Sequence, residues 1–274
     1  MNRILHSQLA GVGALALAAP LVLASGTARA EVSSTITVAS DYDFRGITQS
    51  ALSPALQGSL DWEGESGLYA GIWGSNIDFG QDPGEDFDGE DFETVDLNVE
   101  VDFILGYAAD FTEGFGYDVG ATYYKYLGND GDKGSADFDY LEFYAGLGIT
   151  QYASTKLWYS PDFSNSGESA WYLEVNGDIP LAWGIGLALH AGYNAGDYWS
   201  SDEIGLDEFY DYSVGLTRTF GRFDFAVKYI DGSDLKEADC SKSSVLCPGD
   251  DKVLSSEAKA FISVSTTFPW AKQE

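Results

Sequence analysis

Apolar and polar residues alternate along much of this chain. Over Thr94–Tyr107 nearly every second residue is apolar, and carboxylates, an amide or glycine fill most positions between, with Ile104 the exception. Ile185–Tyr193 and Phe223–Tyr229 repeat the pattern. A period of two is the signature of a β-strand with two unlike faces. The pattern therefore predicts an all-β protein.

Extended over the whole chain, the alternation predicts about twelve strands. Their approximate bounds are 34–44, 55–62, 68–76, 94–107, 116–127, 139–151, 154–160, 170–177, 184–193, 209–220, 223–230 and 257–268. Short connections alternate with long, often acidic ones, which is the plan of outer-membrane barrels with short periplasmic turns and long extracellular loops. We therefore expect one closed antiparallel transmembrane β-barrel over residues 31–274.

A soluble β-sandwich would show the same alternation, with its apolar face buried. Two features favour the barrel. Several strands reach the length of roughly 9–11 residues that a tilted membrane crossing needs. Aromatic residues also crowd the strand ends, as in the interfacial girdles of membrane barrels. These residues are Tyr42, Phe44, Trp62, Trp171, Tyr210, Tyr212, Phe220, Phe268 and Trp270.

The first thirty residues have the pattern of a secretory signal peptide. Arg3 precedes the apolar stretch Ala10–Ala24, and Ala28-Arg29-Ala30 supplies the small-x-small cleavage pattern. We expect cleavage after Ala30 and location in the outer membrane of a Gram-negative bacterium.

Charge narrows the range of partners. The full chain carries 44 acidic against 14 basic side chains, a formal net charge of -30. Nucleic acid is therefore excluded as a partner, since its phosphates attract basic surfaces. Small cations or solutes, outer-membrane lipid and cation-bridged lipopolysaccharide fit better, although acidic loops also serve solubility alone.

Cys240 and Cys247 are the only cysteines, and six residues separate them. In an exported chain this spacing favours a disulfide within one loop over two independent thiols. Two cysteines and one histidine in the mature chain do not make a usual zinc site.

Two motifs resemble the TorF family of porin-like proteins. They are Ser40–Ser50 (SDYDFRGITQS) and Gly67–Asn76 (GLYAGIWGSN), and Glu100–Tyr107, Gly116–Tyr124 and Leu157–Ser160 continue the similarity over nearly the whole mature chain. The resemblance implies an outer-membrane barrel with a porin role. It supplies no catalytic residue and no substrate.

If the apolar faces meet lipid, the opposite faces line the interior. The predicted pore-lining residues are Asp41, Asp43, Arg45, Asp61, Asp96, Glu100, Asp102, Asp118, Glu142, Lys156, Glu174, His190, Asp211, Asp224, Lys228 and Lys259. Excess carboxylates in a water-filled lumen would attract cations and repel anions. The alternative is a salt-bridged plug that only stabilises a narrow barrel.

The sequence gives only weak indications of catalysis or metal binding. Asp41, Asp43 and Arg45 would share one face of the first strand, but spacing within one strand does not define an acid–base pair or a metal site. His190 has no evident serine partner, so a hydrogen-bonded lumen histidine is favoured over a lipid hydrolase. We expect neither enzyme activity nor a cofactor.

One loop is dense enough in carboxylates to attract Ca²⁺, which takes oxygen ligands. Its candidate ligands are Asp82, Glu85, Asp86 and Asp88. The loop does not match the EF-hand pattern, and a solvated acidic loop is the favoured interpretation.

The function expected from the sequence is a passive channel for small cationic or neutral solutes. A structural or binding barrel with a closed lumen is the alternative, and a lipid hydrolase is a third.

Overall fold

The computed structural model describes residues 30–79, 96–112, 115–129, 138–200, 207–233 and 254–270. Twelve strands in this part of the chain close into one antiparallel barrel, in which each strand pairs with the barrel strands before and after it and the last pairs with the first. The barrel strands are β1 (Glu31–Ala39), β4 (Ala55–Glu63), β5 (Leu68–Asn76), β6 (Asp96–Thr112), β7 (Phe115–Asn129), β8 (Tyr140–Thr150), β9 (Ala153–Ser160), β10 (Ala170–Pro180), β11 (Ile185–Ala195), β12 (Phe209–Phe220), β13 (Phe223–Gly232) and β14 (Lys259–Phe268). The predicted fold class is confirmed.

Two further strands, β2 (Asp43–Phe44) and β3 (Ile47–Thr48), form a small hairpin of their own. Short helical turns cover Phe163–Asn165, Ala182–Gly184 and Asp197–Ser200. No helix among the described residues is long and apolar enough to cross a membrane.

The polar faces of the strands point inward and the apolar faces point outward. In β8 the side chains alternate between buried and exposed. Glu142 is 1% exposed, whereas Phe143 is 48% exposed. A soluble sandwich buries its apolar face, so this orientation excludes the sandwich alternative.

The outer surface has an apolar belt between two aromatic girdles. We call the end with the short connections the turn end and the other the loop end. Exposed aromatic side chains surround the turn end at Phe111, Phe115, Trp183, Phe220, Phe223 and Trp270, and the loop end at Trp171, Tyr193, Tyr210, Tyr212 and Tyr229. Exposed Ile, Leu, Val and Phe cover the band between them.

Charged side chains avoid this band. Among the outward strand positions with described side chains, Lys125, Arg218 and Asp231 carry charge, and each lies within four residues of a strand end. This distribution matches the outer face of a barrel that sits in lipid.

The first strand is shorter than the alternation predicts. β1 ends at Ala39 instead of residue 44, and the chain then turns into the barrel. Asp41, Asp43 and Arg45 therefore do not share one face of a wall strand, and that prediction is wrong. Arg45 and Gly46 adopt positive φ values of 55° and 84°, which make the tight turn of the β2–β3 hairpin.

Several predictions fall outside the described residues. They concern the signal segment up to residue 29, the Cys240–Cys247 disulfide, the acidic loop with Asp82, Glu85, Asp86 and Asp88, and the side chain of Asp96. They stay predictions.

Candidate functional site

The candidate site is the interior of the barrel at its loop end, where residues 40–54 fold into the lumen. We call these residues the inner segment. The segment leaves the wall after β1 and rejoins it at β4, and its hairpin pairs with no wall strand. Its side chains reach β8, β9 and β10, which lie opposite β1 in the order of strands around the barrel. The inner segment therefore crosses the lumen.

Arg45 joins the inner segment to the far wall. Its Nη2 donates to Oε2 of Glu142 on β8 at 2.7 Å, and the Arg45 side chain is 5% exposed. The guanidinium carbon lies 4.4 Å from the ring centroid of Tyr172 and 4.6 Å from that of Phe44. The hydroxyl of Tyr124 donates to the same Glu142 oxygen at 3.0 Å. This is a buried, charge-assisted contact of the stronger kind.

A second anchor holds the near side of the segment. Nζ of Lys259 on β14 lies 2.8 Å from Oδ2 of Asp41 and 2.8 Å from Oδ1 of Asp43. The hydroxyls of Thr48 and Ser50 donate to Oδ1 of Asp41 at 2.5 and 2.9 Å. Charges and hydroxyls thus fix the path of the chain after β1.

The tip of the hairpin leaves no room for a side chain. A Cβ built on Gly46 would lie 2.7 Å from Cβ of Asp211 on β12, and the positive φ of Gly46 is one that other residues rarely adopt. Glycine is therefore required where the turn meets the wall.

The wall carries its own buried ion pair at mid-barrel. Nζ of Lys156 lies 2.9 Å from Oδ2 of Asp118, and the hydroxyl of Tyr69 donates to Oδ1 of Asp118 at 2.6 Å. Tyr69 and Tyr144 also share a hydrogen bond between their hydroxyls. These contacts join β5, β7, β8 and β9 across the inner surface.

His190 on β11 is fully engaged in a polar network. Its Nε2 lies 2.9 Å from Oδ1 of Asp211 and 2.9 Å from the hydroxyl of Tyr172, and its Nδ1 lies 2.7 Å from Oδ1 of Asn176. Oε2 of Glu174 is 3.8 Å from Nδ1. Its described hydrogen-bond partners are thus a carboxylate, a phenol and an amide.

The carboxylate of Asp102 on β6 has no such partners. It is 1% exposed, and neither carboxylate oxygen has a hydrogen-bond partner. Its neighbour Glu100 accepts a hydrogen bond from the Tyr42 hydroxyl at 2.6 Å. A buried carboxylate without a hydrogen-bond partner is costly, because an acid loses more solvation on burial than a neutral polar group does.

Toward the turn end the interior is more open. Asp61, Asp178 and Lys228 face the lumen there and are half-buried. Serine, threonine and glycine occupy many of the surrounding inward positions. The inner segment therefore occupies the lumen at the loop end, whereas small side chains line much of the turn end.

The register places every predicted wall residue with a described side chain on the inner face. Those residues are Asp61, Glu100, Asp102, Asp118, Glu142, Lys156, Glu174, His190, Asp211, Asp224, Lys228 and Lys259. Asp41, Asp43 and Arg45 reach the interior through the inner segment instead. Asp178 and the inward tyrosines were missed by sequence reasoning, although Asp178 keeps the same alternation as Glu174 and Asn176.

No group of three or more His, Cys, Asp or Glu residues in the described ranges has the geometry of a metal site. The interior is therefore an ionic and aromatic network within that part of the chain.

Asp139, just before β8, pins the loop end of the wall. Its carboxylate accepts hydrogen bonds from Lys125, from the backbone N–H of Tyr126 at 2.9 Å and from the hydroxyl of Tyr123 at 3.1 Å. Burial disfavours the ionised form, but these hydrogen bonds outweigh it and hold the pKa of Asp139 below its usual value.

Three solved structures illustrate the similarity to known barrels. A KdgM porin is 9% identical, with 89% of this chain and 100% of that chain covered and a TM-score of 0.49. A NanC porin is 9% identical, covering 88% and 100%, with a TM-score of 0.48. A deletion mutant of the TodX monoaromatic hydrocarbon channel is 9% identical, covering 88% and 89%, with a TM-score of 0.43. At such values these likenesses carry no argument about the function of this chain.

No curated protein matches the chain. One bacterial family does, over residues 23–266, a range that includes the inner segment and all but the last two residues of the barrel wall. The match does not carry the TorF name, which stays an expectation from the motifs. The chain belongs to the family described as "Bacterial protein of unknown function (Gcw_chp)".

Proposed function

We propose that this protein is a porin-like channel of the outer membrane for small solutes, that it prefers cations, and that the inner segment narrows its lumen. The proposal rests on the distribution of apolar and ionisable side chains, which is the reverse of that in a soluble protein. Its outside is apolar between two aromatic girdles, and its inside is lined by ionisable side chains. A polar interior enclosed by a lipid-facing wall is what a water-filled path requires.

The way the inner segment is held supports a narrowed channel over a permanently closed barrel. Its hairpin forms no ladder with a wall strand, and side-chain ion pairs at Arg45, Asp41 and Asp43 anchor it. Backbone hydrogen bonds hold the flanks of the segment, from the N–H of Ser40 to Ile262, from that of Thr48 to Ser255 and from that of Asp78 to Gln49. The hairpin tip at residues 43–47 can therefore shift without breaking the hydrogen bonds between wall strands.

Cation preference follows from the charges that face the lumen. Among the residues that the structure describes, eleven buried or half-buried acids face four Lys or Arg side chains and one histidine. The acids are Asp41, Asp43, Asp61, Glu100, Asp102, Asp118, Glu142, Glu174, Asp178, Asp211 and Asp224, and the bases are Arg45, Lys156, Lys228 and Lys259. Loop charges count for less, because salt screens exposed charges beyond about 8 Å at physiological ionic strength.

The test is the reversal potential of the refolded mature protein in a planar bilayer under a KCl gradient. We expect cation preference in the wild type. The double variant Glu100→Gln, Asp102→Asn should weaken it, and the matched loop variant Glu85→Gln, Asp86→Asn should change it much less. Anion preference, or a larger effect of the loop variant, would contradict the proposed selectivity.

Location has a separate test. We expect the protein to fractionate with the outer membrane, to resist sarkosyl and to migrate differently on a denaturing gel when unboiled. Recovery of the mature chain as a detergent-free periplasmic protein would exclude the membrane barrel. A correctly inserted barrel that never conducts, even with the inner segment loosened, would favour the closed binding barrel instead.

A further inference from the structure

The unpartnered carboxylate of Asp102 carries one inference that deepens the proposed channel function. Asp102 faces the lumen from β6, between Trp73 on β5 and Tyr124 on β7, which are its direct partners in the two neighbouring strands. Both of its oxygens are buried and neither accepts a hydrogen bond. A buried carboxyl group without a hydrogen bond is destabilising, and binding a hydrogen-bond donor would relieve this cost.

The surroundings of Asp102 are rich in aromatic rings. The Trp73 and Tyr42 ring centroids are 5.2 Å apart, and those of Tyr124 and Tyr140 are 4.4 Å apart. The phenol groups of Tyr42, Tyr124 and Tyr140 lie within electrostatic range of the Asp102 carboxylate. Aromatic faces attract cations, and tryptophan does so most strongly.

Two more acids, Glu100 and Glu142, lie near Asp102. Arg45 reaches Oε2 of Glu142, whereas Oε1 of Glu142 has no hydrogen-bond partner. A cation bound at Asp102 would therefore lie close to three acidic side chains, of which Glu142 is the one that pairs with Arg45.

We propose that Asp102 and Trp73 form a binding site for the ammonium group of a small organic cation. The carboxylate accepts its N–H donors, and the indole face contacts its positive charge. A multidentate metal fits less well, because hard divalent cations take six or more oxygen ligands and the described residues contain no group of three or more acids with metal-site geometry. The lumen is the path by which the cation reaches the site.

The experiment measures equilibrium binding of n-butylammonium to the refolded mature protein in detergent, by calorimetry at fixed ionic strength. We expect Asp102→Asn to weaken binding about tenfold or more, as loss of a charge-assisted hydrogen bond does. The matched control is Asp61→Asn, an inward acid nearer the turn end whose Oδ2 accepts a hydrogen bond from Ser59 at 2.6 Å. It should leave the affinity within about twofold, by the same argument.

A second variant guards against misfolding of the first. Trp73→Phe keeps the carboxylate and an aromatic ring, and should weaken binding severalfold while the heat-modifiable migration stays normal. Butyrate and 1-butanol should show no binding that depends on Asp102.

Three results would overturn the site. They are equal affinity in wild type and Asp102→Asn, an equal loss in Asp61→Asn, and displacement of n-butylammonium by KCl at matched concentration. Because the binding assay does not depend on conductance, a failure of binding can be told apart from a failure of the channel proposal. A conducting barrel without Asp102-dependent binding would overturn only this site, and a binding barrel that never conducts would overturn only the channel.

Discussion

Arg45 decides how firmly the inner segment is held against the far wall. Arg45→Ala removes the 2.7 Å ion pair to Glu142 and the contacts with the rings of Tyr172 and Phe44. Removing one partner of a buried ion pair costs about 3–5 kcal/mol, because the other charge stays buried and unpaired. Since 1.4 kcal/mol is a factor of ten, the ratio of docked to undocked segment should fall roughly 10²- to 10⁴-fold.

The assay is single-channel recording in planar bilayers. We expect Arg45→Ala to raise the conductance or the open fraction above the wild-type value, because the segment no longer bridges the lumen. The double variant Arg45→Ala, Glu142→Gln removes the unpaired charge as well. It should regain part of the lost stability and keep the raised conductance.

Lys156→Ala is the matched control. Lys156 is as buried as Arg45, lies 2.9 Å from Asp118 and sits 4.5 Å from the Tyr144 ring centroid, but all of these partners belong to the wall. It should lower the stability of the barrel without opening it. The reasoning is refuted if folded Arg45→Ala conducts as the wild type does, or if Lys156→Ala raises conductance equally.

Three further predictions are independent of transport. Gly120→Ala should lower the free energy of unfolding in urea by about 1–3 kcal/mol, because the added methyl group would clash with the hydroxyl of Tyr144. Intact-mass analysis of protein from the native envelope should find no alkylatable thiol. Cys240→Ser should leave the barrel folded, since the expected Cys240–Cys247 disulfide contributes at most about 2–3 kcal/mol to the free energy of unfolding. The pKa of Asp139 is lowered in the folded protein, so its ionised carboxylate stabilises the fold. This stabilisation is complete at pH values above the unfolded pKa of about 3.9, and it is lost as the pH falls through the lower pKa of the folded protein. Asp139→Asn should lack that acid-dependent loss in urea unfolding, whereas Lys125→Met should shift it toward higher pH.

The barrel wall was largely predictable, because one physical rule governs it. A strand with lipid on one side and a polar lumen on the other must alternate, so the pattern in Tyr140–Thr150 identifies both the strand and its inward face. The same parity correctly placed Glu142 and Lys156 inside, in different strands, with no knowledge of their partners.

The inner segment was not predictable by this rule. Ser40–Arg45 continues the alternation of β1, so the pattern alone extends the strand. The chain leaves the wall after β1, and Asp41 and Asp43 there pair with Lys259, which lies more than two hundred residues further along the chain. Pairings between distant strands depend on register around the whole barrel, which no local pattern specifies.

Glycine at inward positions is a sequence feature that could have indicated whether the wall side chains leave the lumen open or fill it. Tyr69 lies over Gly106, Tyr144 over Gly120, and Lys228 over Gly215, each pair directly opposite in neighbouring strands. A bulky side chain that packs on a neighbouring glycine lies along the wall and leaves the centre of the lumen free. At these three positions, then, the wall does not close the barrel with its own side chains. If the inner segment sets the width of the path at the loop end, as proposed, a change at Arg45 should matter more for permeation than an equally disruptive change at Lys156.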